Sequence, residues 1–219
     1  KSRLNKIVFP KCKKIDLFYS YDFIKGNTLY KENNKKIFIE LLKFLEKKLW
    51  IKKKVKEKKF KNFCKNFYKD KTVSRIKLFN KKNKLFKIRT INKKRALPFD
   101  QMKKKIFDKN LFDGVPSFIH GDLQFDNIIQ KQKKFKLIDW RHSFDSSVEC
   151  GDLYYDLAKL YGGIIVNYDE IKKNNFKFKI KNNNVSIIFK RDTFNLKKIY
   201  EKYFYSKKFD LRKIKILTG

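Results

Sequence analysis

Three oxygen-bearing side chains lie close together along the chain: Asp122, Asn127 and Asp139. Asp122 and Asn127 are five residues apart and flank a loop, while Asp139 directly follows the apolar pair Leu137-Ile138. Asn127-Ile128-Ile129 and Phe135-Lys136-Leu137-Ile138 read as short strands, joined as a hairpin by the polar 130–134 segment. A strand, loop and hairpin in this order can bring the three side chains to one edge. Carboxylate and amide oxygens suit a hard cation such as Mg²⁺, which shares its coordination between protein and phosphate. Phosphoryl transfer needs that clustering: a metal neutralises the triphosphate, and a separate carboxylate orients the acceptor hydroxyl and takes its proton. Each residue also has a structural reading. Asp122 could be a turn residue after Gly121, Asn127 a turn cap, and Asp139 a strand-end partner of Arg141.

The neighbouring polar residues read as support. His120 suits a hydrogen bond within its loop better than catalysis. His142 reads as a surface histidine, and Asp126 as facing away from the metal position. Asp152 precedes a strong helix, with Leu153, Leu157, Leu160, Tyr161 and Ile164 at helical spacing, and Asp is a favoured N-cap. Bracing of the loop is a second role for Asp152. Asp156, one turn on, reads as structural, with a role toward a cationic acceptor as the alternative.

Several elements must position these residues. Ile15 to Ile24 is a β-prone run that ends at Lys25-Gly26. Helices are expected from Glu32 to about Trp50, with Phe38, Leu41, Leu42, Leu45 and Leu49 on one face, and from Lys56 to Tyr68. Val73 to Phe79 and Leu85 to Ile91 read as strands around the Asn80-Lys81-Lys82-Asn83 turn. Pro98 can open a helix running to about Phe112, since proline is tolerated in a first turn. A hairpin is expected over Phe176 to Phe189 around Asn182-Asn183-Asn184, with helices after it.

His120-Gly121-Asp122-Leu123-Gln124-Phe125-Asp126-Asn127 resembles the HGDxxxxN catalytic loop of aminoglycoside phosphotransferases and choline kinases, the counterpart of the protein-kinase HRDxxxxN loop. Leu137-Ile138-Asp139-Trp140 resembles the segment of that family equivalent to the kinase DFG. Gly151-Asp152-Leu153-Tyr154-Tyr155-Asp156-Leu157-Ala158 resembles its following GDxxYDLA helix start. Phe18 to Leu29 is a looser match to the last N-lobe strand and the hinge. The resemblance covers about residues 15–165, and its specific motifs lie mainly in 118–160.

It implies an α+β, protein-kinase-like fold: the end of the N-lobe and the hinge in 1–25, and a mainly helical C-lobe with short β-hairpins in 26–219. It implies Asp122 as catalytic base or aligner of the acceptor hydroxyl, and Asn127 and Asp139 as Mg²⁺ ligands. The backbone around Asp22, Phe23 and Ile24 would meet the adenine edge, and Ile138 would pack beneath the base. The activity implied is transfer of phosphate from ATP, or GTP, to a hydroxyl of a sugar, amino alcohol or aminoglycoside.

The chain has 219 residues, 42% of them hydrophobic, and a formal net charge of +36. Nearly all of that charge is Lys; Arg occurs only at positions 3, 75, 89, 95, 141, 191 and 212. Lys, Asn, Ile and Phe abound while Ala, Gly and Pro are scarce, as an A/T-rich genome would produce with no polyanionic partner. Nucleic acid is therefore the weaker reading of the charge, although such charge also attracts polyanions at low salt. Cys12, Cys64 and Cys150 are too far apart for a zinc site or disulfide framework. No run approaches the ~18 to 20 apolar residues of a membrane span, so a cytoplasmic protein is expected.

The chain departs from the family at its start. It begins at Lys1 rather than Met, and no Gly precedes Gly26, so no Gly-rich phosphate loop stands before the hinge. Lys6, Lys11, Lys13 and Lys14 do not sit in a VAIK-like strand. A fragment of a longer kinase is the expectation. The alternative is a catalytically silent, kinase-like binding or scaffold protein with a basic surface.

Overall fold

A computed structural model describes residues 12–15, 18–31, 34–82, 88–132, 134–189 and 195–219. The architecture is α+β, with short sheets set among helices. Among the described residues no helix is long and apolar enough to cross a membrane.

β1 (Cys12–Ile15) and β2 (Phe18–Tyr21) form an antiparallel hairpin. The β-prone run expected over 15–24 is thus shorter at its far end, where 22–25 carry no regular structure. β3 (Asn27–Thr28) then pairs with β7 (Ile128–Lys131), which pairs in turn with β8 (Lys134–Leu137). Gly26 is required at the entry to β3, because a Cβ there would stand 2.7 Å from the Gln130 carbonyl oxygen.

α1 (Lys35–Lys48) starts where the Asn34 side chain accepts from the Ile37 N–H, an N-cap with the expected chemistry. Its Phe38, Leu41, Leu42 and Leu45 are fully buried, as their spacing predicts. α2 (Glu57–Lys65) runs through one π-helical turn (Asn66–Asp70) into α3 (Lys71–Lys82). The wider turn lets the successive Phe67 and Tyr68 both face inward, where they pack on Phe144 and Tyr155.

The strand expected over Val73 to Phe79 is helix α3 instead. No Gly or Pro interrupts 57–82, so the helix propagates through the β-branched residues, whose propensity is only a weak prior. Leu78 and Phe79 lie exposed on it. Of the second expected strand, only Thr90-Ile91 is one, as β4; residues 85–87 lie outside the described set.

β4 and β5 (Lys94–Arg95) form a small hairpin. It joins β10 (Phe176–Lys181) and β11 (Asn184–Phe189), the hairpin expected from the Asn-rich turn, in a sheet of order β10-β11-β4-β5. α4 (Phe99–Ile106) begins after Pro98 as expected but is shorter than the helix expected to run to about Phe112. It stops at Phe107, and a separate 3-10 turn, capped by the Asp108 carboxylate, covers Lys109–Phe112.

β6 (Pro116–Ser117) lies between the 51–53 segment and β9 (Gly151–Asp152), and leads into His120. α5 (Leu153–Ile165) follows β9 at once and forms the centre of the molecule. α6 (Tyr168–Lys172), α7 (Leu196–Ser206) and α8 (Leu211–Thr218) complete the fold. The larger core joins α1, α5, α7 and the β7–β8 hairpin; the smaller joins α2, the π turn, Leu111, Phe112 and Phe144. Residues 115–122 enter between these two cores.

Truncating a buried α1 residue, Leu45→Ala, should cost about 2–5 kcal/mol of unfolding free energy. The exposed α3 residue Leu78, cut to Ala, should change it by no more than about 0.5 kcal/mol. Urea titrations of the two variants check this, and equal losses would contradict the packing described.

Candidate functional site

The loop from His120 to Asn127 is held from below by α5. The Asp156 carboxylate is fully buried and accepts the successive amide N–H groups of His120 (2.8 Å) and Gly121 (2.7 Å). The Trp50 indole N–H, at 3.1 Å, is its third donor. Burial pushes the Asp156 carboxyl up to about 6, against the pull of these three donors. One turn earlier, the buried Asp152 caps α5 through the Tyr154 N–H and also accepts from the Val115 N–H and the Tyr68 hydroxyl. Asp152 therefore takes its expected helix-cap role and ties the cap to Val115 and Tyr68 rather than to the loop itself, and Asp156 takes its structural role.

Gly121 has φ +82°, and a Cβ there would meet the Arg141 Cβ at 2.6 Å, so both conformation and space demand glycine. Arg141 crosses this point. Its Nε donates to the Gly121 carbonyl at 2.9 Å, its backbone N–H to the His120 carbonyl at 3.1 Å, and its guanidinium to the Tyr155 hydroxyl at 3.3 Å. No ion pair joins Arg141 to Asp139 among the described residues.

His120 is fully buried. Its Nδ1 accepts from the Asp122 N–H at 3.2 Å, which leaves Nε2 to donate to the Ile138 carbonyl at 2.8 Å. The ring thus clips the loop to the end of β8 as a neutral tautomer, and burial pulls its pKa down to about 4.

Asp122 and Asn127 meet directly. The Asn127 side-chain N–H donates to the Asp122 carbonyl at 2.8 Å and reaches its carboxylate at 3.4 Å. Behind them, the Ile138 N–H donates to the Asn127 carbonyl at 3.0 Å, so the loop and the strand end leading to Asp139 are tied together. Asp139 itself is exposed and left-handed, with φ +56°, a strained conformation for a residue with a side chain.

Asp122 also accepts from the Gln124 amide and from Lys159 Nζ, each at 3.0 Å. Burial pushes the Asp122 carboxyl up, but these donors outweigh it and hold it below the ordinary carboxylate value. Asp126 faces away, toward Lys172 at 2.7 Å. Asp22 and Phe23 are exposed and Ile24 is half-buried ahead of β3. Among the described residues no hydrogen bond joins these three to the Asp122–Asn127 pair.

Lys159 and Trp50 are the participants that sequence reasoning missed. For Lys159 a signal exists: Asp152, Asp156 and Lys159 recur at helical spacing, a polar stripe on α5 beside the apolar one.

No cluster of three or more His, Cys, Asp or Glu among the described residues is arranged to hold a metal. The side-chain oxygens of Asn127 and Asp139 are nevertheless donor types that suit a hard cation such as Mg²⁺. Mg²⁺ is commonly held by one or two protein oxygens plus phosphates and water. Anchoring of the Asn127 amide nitrogen on Asp122 leaves its oxygen as the acceptor end, and the Asp139 carboxylate is open to solvent.

Beside Asp122 opens a cleft of about 580 Å³, into which Gln124, Arg141, Tyr155 and Lys159 face. Comparison of the chain with protein-family models, with curated proteins and with solved structures finds no match.

Substituting Asp156→Asn turns one acceptor into a donor facing buried N–H groups, and should cost about 2–4 kcal/mol; urea unfolding measures it. The His120 ring should stay neutral, with its proton on Nε2, until the pH nears 4, as followed by imidazole ¹⁵N NMR. Its folded pKa, about 4, lies below the ordinary value of 6.5. The native state thus resists taking up the proton that the unfolded chain accepts, and this group removes stability as pH falls from 6.5 toward 4. Asp156 acts in the opposite sense. Its raised value means that stability falls as pH rises through the interval from the ordinary carboxylate range to about 6.

Proposed function

We propose that the chain is the acceptor- and metal-binding part of a protein-kinase-like phosphotransferase that moves phosphate from ATP or GTP to a hydroxyl of a small molecule. The observation that carries this reading is the contact between Asp122 and Asn127, with Asn127 bonded through its backbone to the strand end that leads to Asp139. Two stretches of sequence, the 120–127 loop and the strand end at 137–138, are thereby tied together, which supports the motif resemblance.

In this reading Asp122 is the group that aligns the acceptor hydroxyl. A carboxylate held below its ordinary pKa is a weak base, so it takes the proton late. The acceptor oxygen bonds to the γ-phosphorus, the bond from that phosphorus to the β-bridging oxygen breaks, and the hydroxyl proton passes to Asp122. Asn127 and Asp139 would hold Mg²⁺, which when bound supplies neutralisation of the phosphate charge. Asp22, Phe23, Ile24 and Ile138 would meet the base. Lys159 and Gln124 hold the Asp122 carboxylate in one orientation.

A catalytically silent, kinase-like binding or scaffold protein with a basic surface is the second reading. The 3.0 Å ion pair of Lys159 with Asp122, which occupies the carboxylate that must meet the acceptor, favours it.

Calorimetric titration with ATP, with and without Mg²⁺, tests the site. Asn127→Ala and Asp139→Ala should each weaken the Mg²⁺-dependent component by about tenfold or more. Asp122→Asn should retain that binding and lose phosphoryl transfer by about 10²–10⁴-fold. Nucleotide affinity indifferent to Mg²⁺ and to both substitutions would overturn the proposal. Mg²⁺-dependent binding without turnover in the unaltered protein would select the silent reading.

A further inference from the structure

The cleft beside Asp122 has largely apolar and aromatic walls; its charged lining is five basic side chains, with no Asp or Glu among the described residues that line it. Lys71 and Arg75 come from α3, four residues apart and so on one helix face, where like charges oppose the helix. Arg141 faces them from the loop after β8, and Lys159 and Lys215 complete the set. Two of the five are neutralised: Lys159 by Asp122 at 3.0 Å, and Lys215 by Glu201 at 2.9 Å. Among the described residues, Lys71, Arg75 and Arg141 make no ion pair with a carboxylate.

The general excess of lysine does not account for this. Arg is scarce in the chain, yet two of its seven arginines line this one cleft. Arg141 is spent partly on the Gly121 carbonyl, whereas the Arg75 side chain makes no hydrogen bond or ion pair among the described residues. The cations are also crowded. Partial burial, with Arg141 and Arg75 nearby, holds the Lys71 ammonium below its ordinary value, and Asp145 is the acidic group that opposes this. Aromatic faces complete the walls: the Arg141 guanidinium lies 5.4 Å from the Phe67 ring centre and 5.6 Å from that of Tyr155.

We infer that the acceptor is itself an anion, a small hydroxyl compound that already carries a phosphate monoester, seated with that phosphate toward Lys71, Arg75 and Arg141 and its free hydroxyl toward Asp122. This rests on the phosphotransferase reading above. A phosphate monoester carries about −1.5 to −2 at neutral pH, which matches three converging cations better than a single carboxylate does, and Arg adds a forked donor suited to phosphate oxygens. An amino alcohol or aminoglycoside would bring positive charge into a cleft with no acidic side chain to receive it.

Glycerol 3-phosphate is a suitable probe, with glycerol and choline as its neutral and cationic counterparts. Each is titrated calorimetrically into the full chain at low ionic strength. Glycerol 3-phosphate should bind, and the other two should give no heat. The double substitution Lys71→Ala/Arg75→Ala should weaken glycerol 3-phosphate by about tenfold or more. Lys177→Ala/Lys179→Ala, which removes the same charge from exposed positions on β10 outside the cleft, should change it by less than about twofold. Equal weakening by both pairs, tighter binding of choline, or no binding of glycerol 3-phosphate would overturn the inference. A transfer assay on the unaltered protein with Mg-ATP and each of the three acceptors separates the two proposals. Retained anion binding with no transfer by the unaltered protein defeats the phosphotransferase reading alone, whereas transfer to a neutral or cationic acceptor defeats the anionic class alone.

Discussion

The Asp156 carboxylate and its three donors are the interaction on which the site depends. An ionised carboxylate in a packed interior is costly unless its oxygens are satisfied, and Asp156 is satisfied only if His120 and Gly121 present their amides together. That requirement fixes the loop backbone. With it fixed, the His120 ring falls within reach of the Ile138 carbonyl, Arg141 can cross over Gly121, and Asp122 emerges where Asn127, Gln124 and Lys159 can hold it. Every polar contact at the top of the site is downstream of this one.

The few acidic residues of this basic chain are placed accordingly. Among the described residues Asp152 and Asp156 are the fully buried carboxylates, one capping α5 and the other a turn further along it, and each accepts backbone N–H groups from the segment entering or forming the loop. Lysine supplies most of the surface charge, while the interior is organised by negative charge. Among the described residues Lys213 is the one buried cation; its ammonium donates to the Asp113 carbonyl and lies 3.9 Å from Asp152.

Much of this was legible in the sequence because it depends on local pattern. The apolar spacing of α1 and α5, the N-cap at Asp152, the β7–β8 hairpin and the Asn-rich turn of β10–β11 each follow from residues close together in the chain. The Asp122–Asn127 contact was legible for the same reason, since five residues of loop can bring only certain side chains together. What escaped was long-range or locally ambiguous. Val73, Ile76 and Phe79 satisfy strand composition and helix spacing alike, and the unbroken run from α2 decides for helix. Trp50 meets Asp156 across 106 residues, with no local trace. Lys159 lay in plain view on the polar stripe of α5 but was lost in a chain so rich in lysine. The basic lining of the cleft is likewise a product of folding, since α3 and the 141–159 region meet only in space.

The support of the loop has a consequence for how the protein is made. Its pieces come from Trp50, Tyr68, Val115, α5 and finally α8, whose Lys213 reaches back 100 residues to the Asp113 carbonyl just ahead of the loop. On a ribosome, the His120–Asn127 segment is synthesised well before α8 emerges. Until then Asp152 lacks its cationic neighbour, and α5 lacks the α8 surface against which it packs. The nascent chain therefore carries the His120–Asn127 loop as an unfinished structure until α8 has been made.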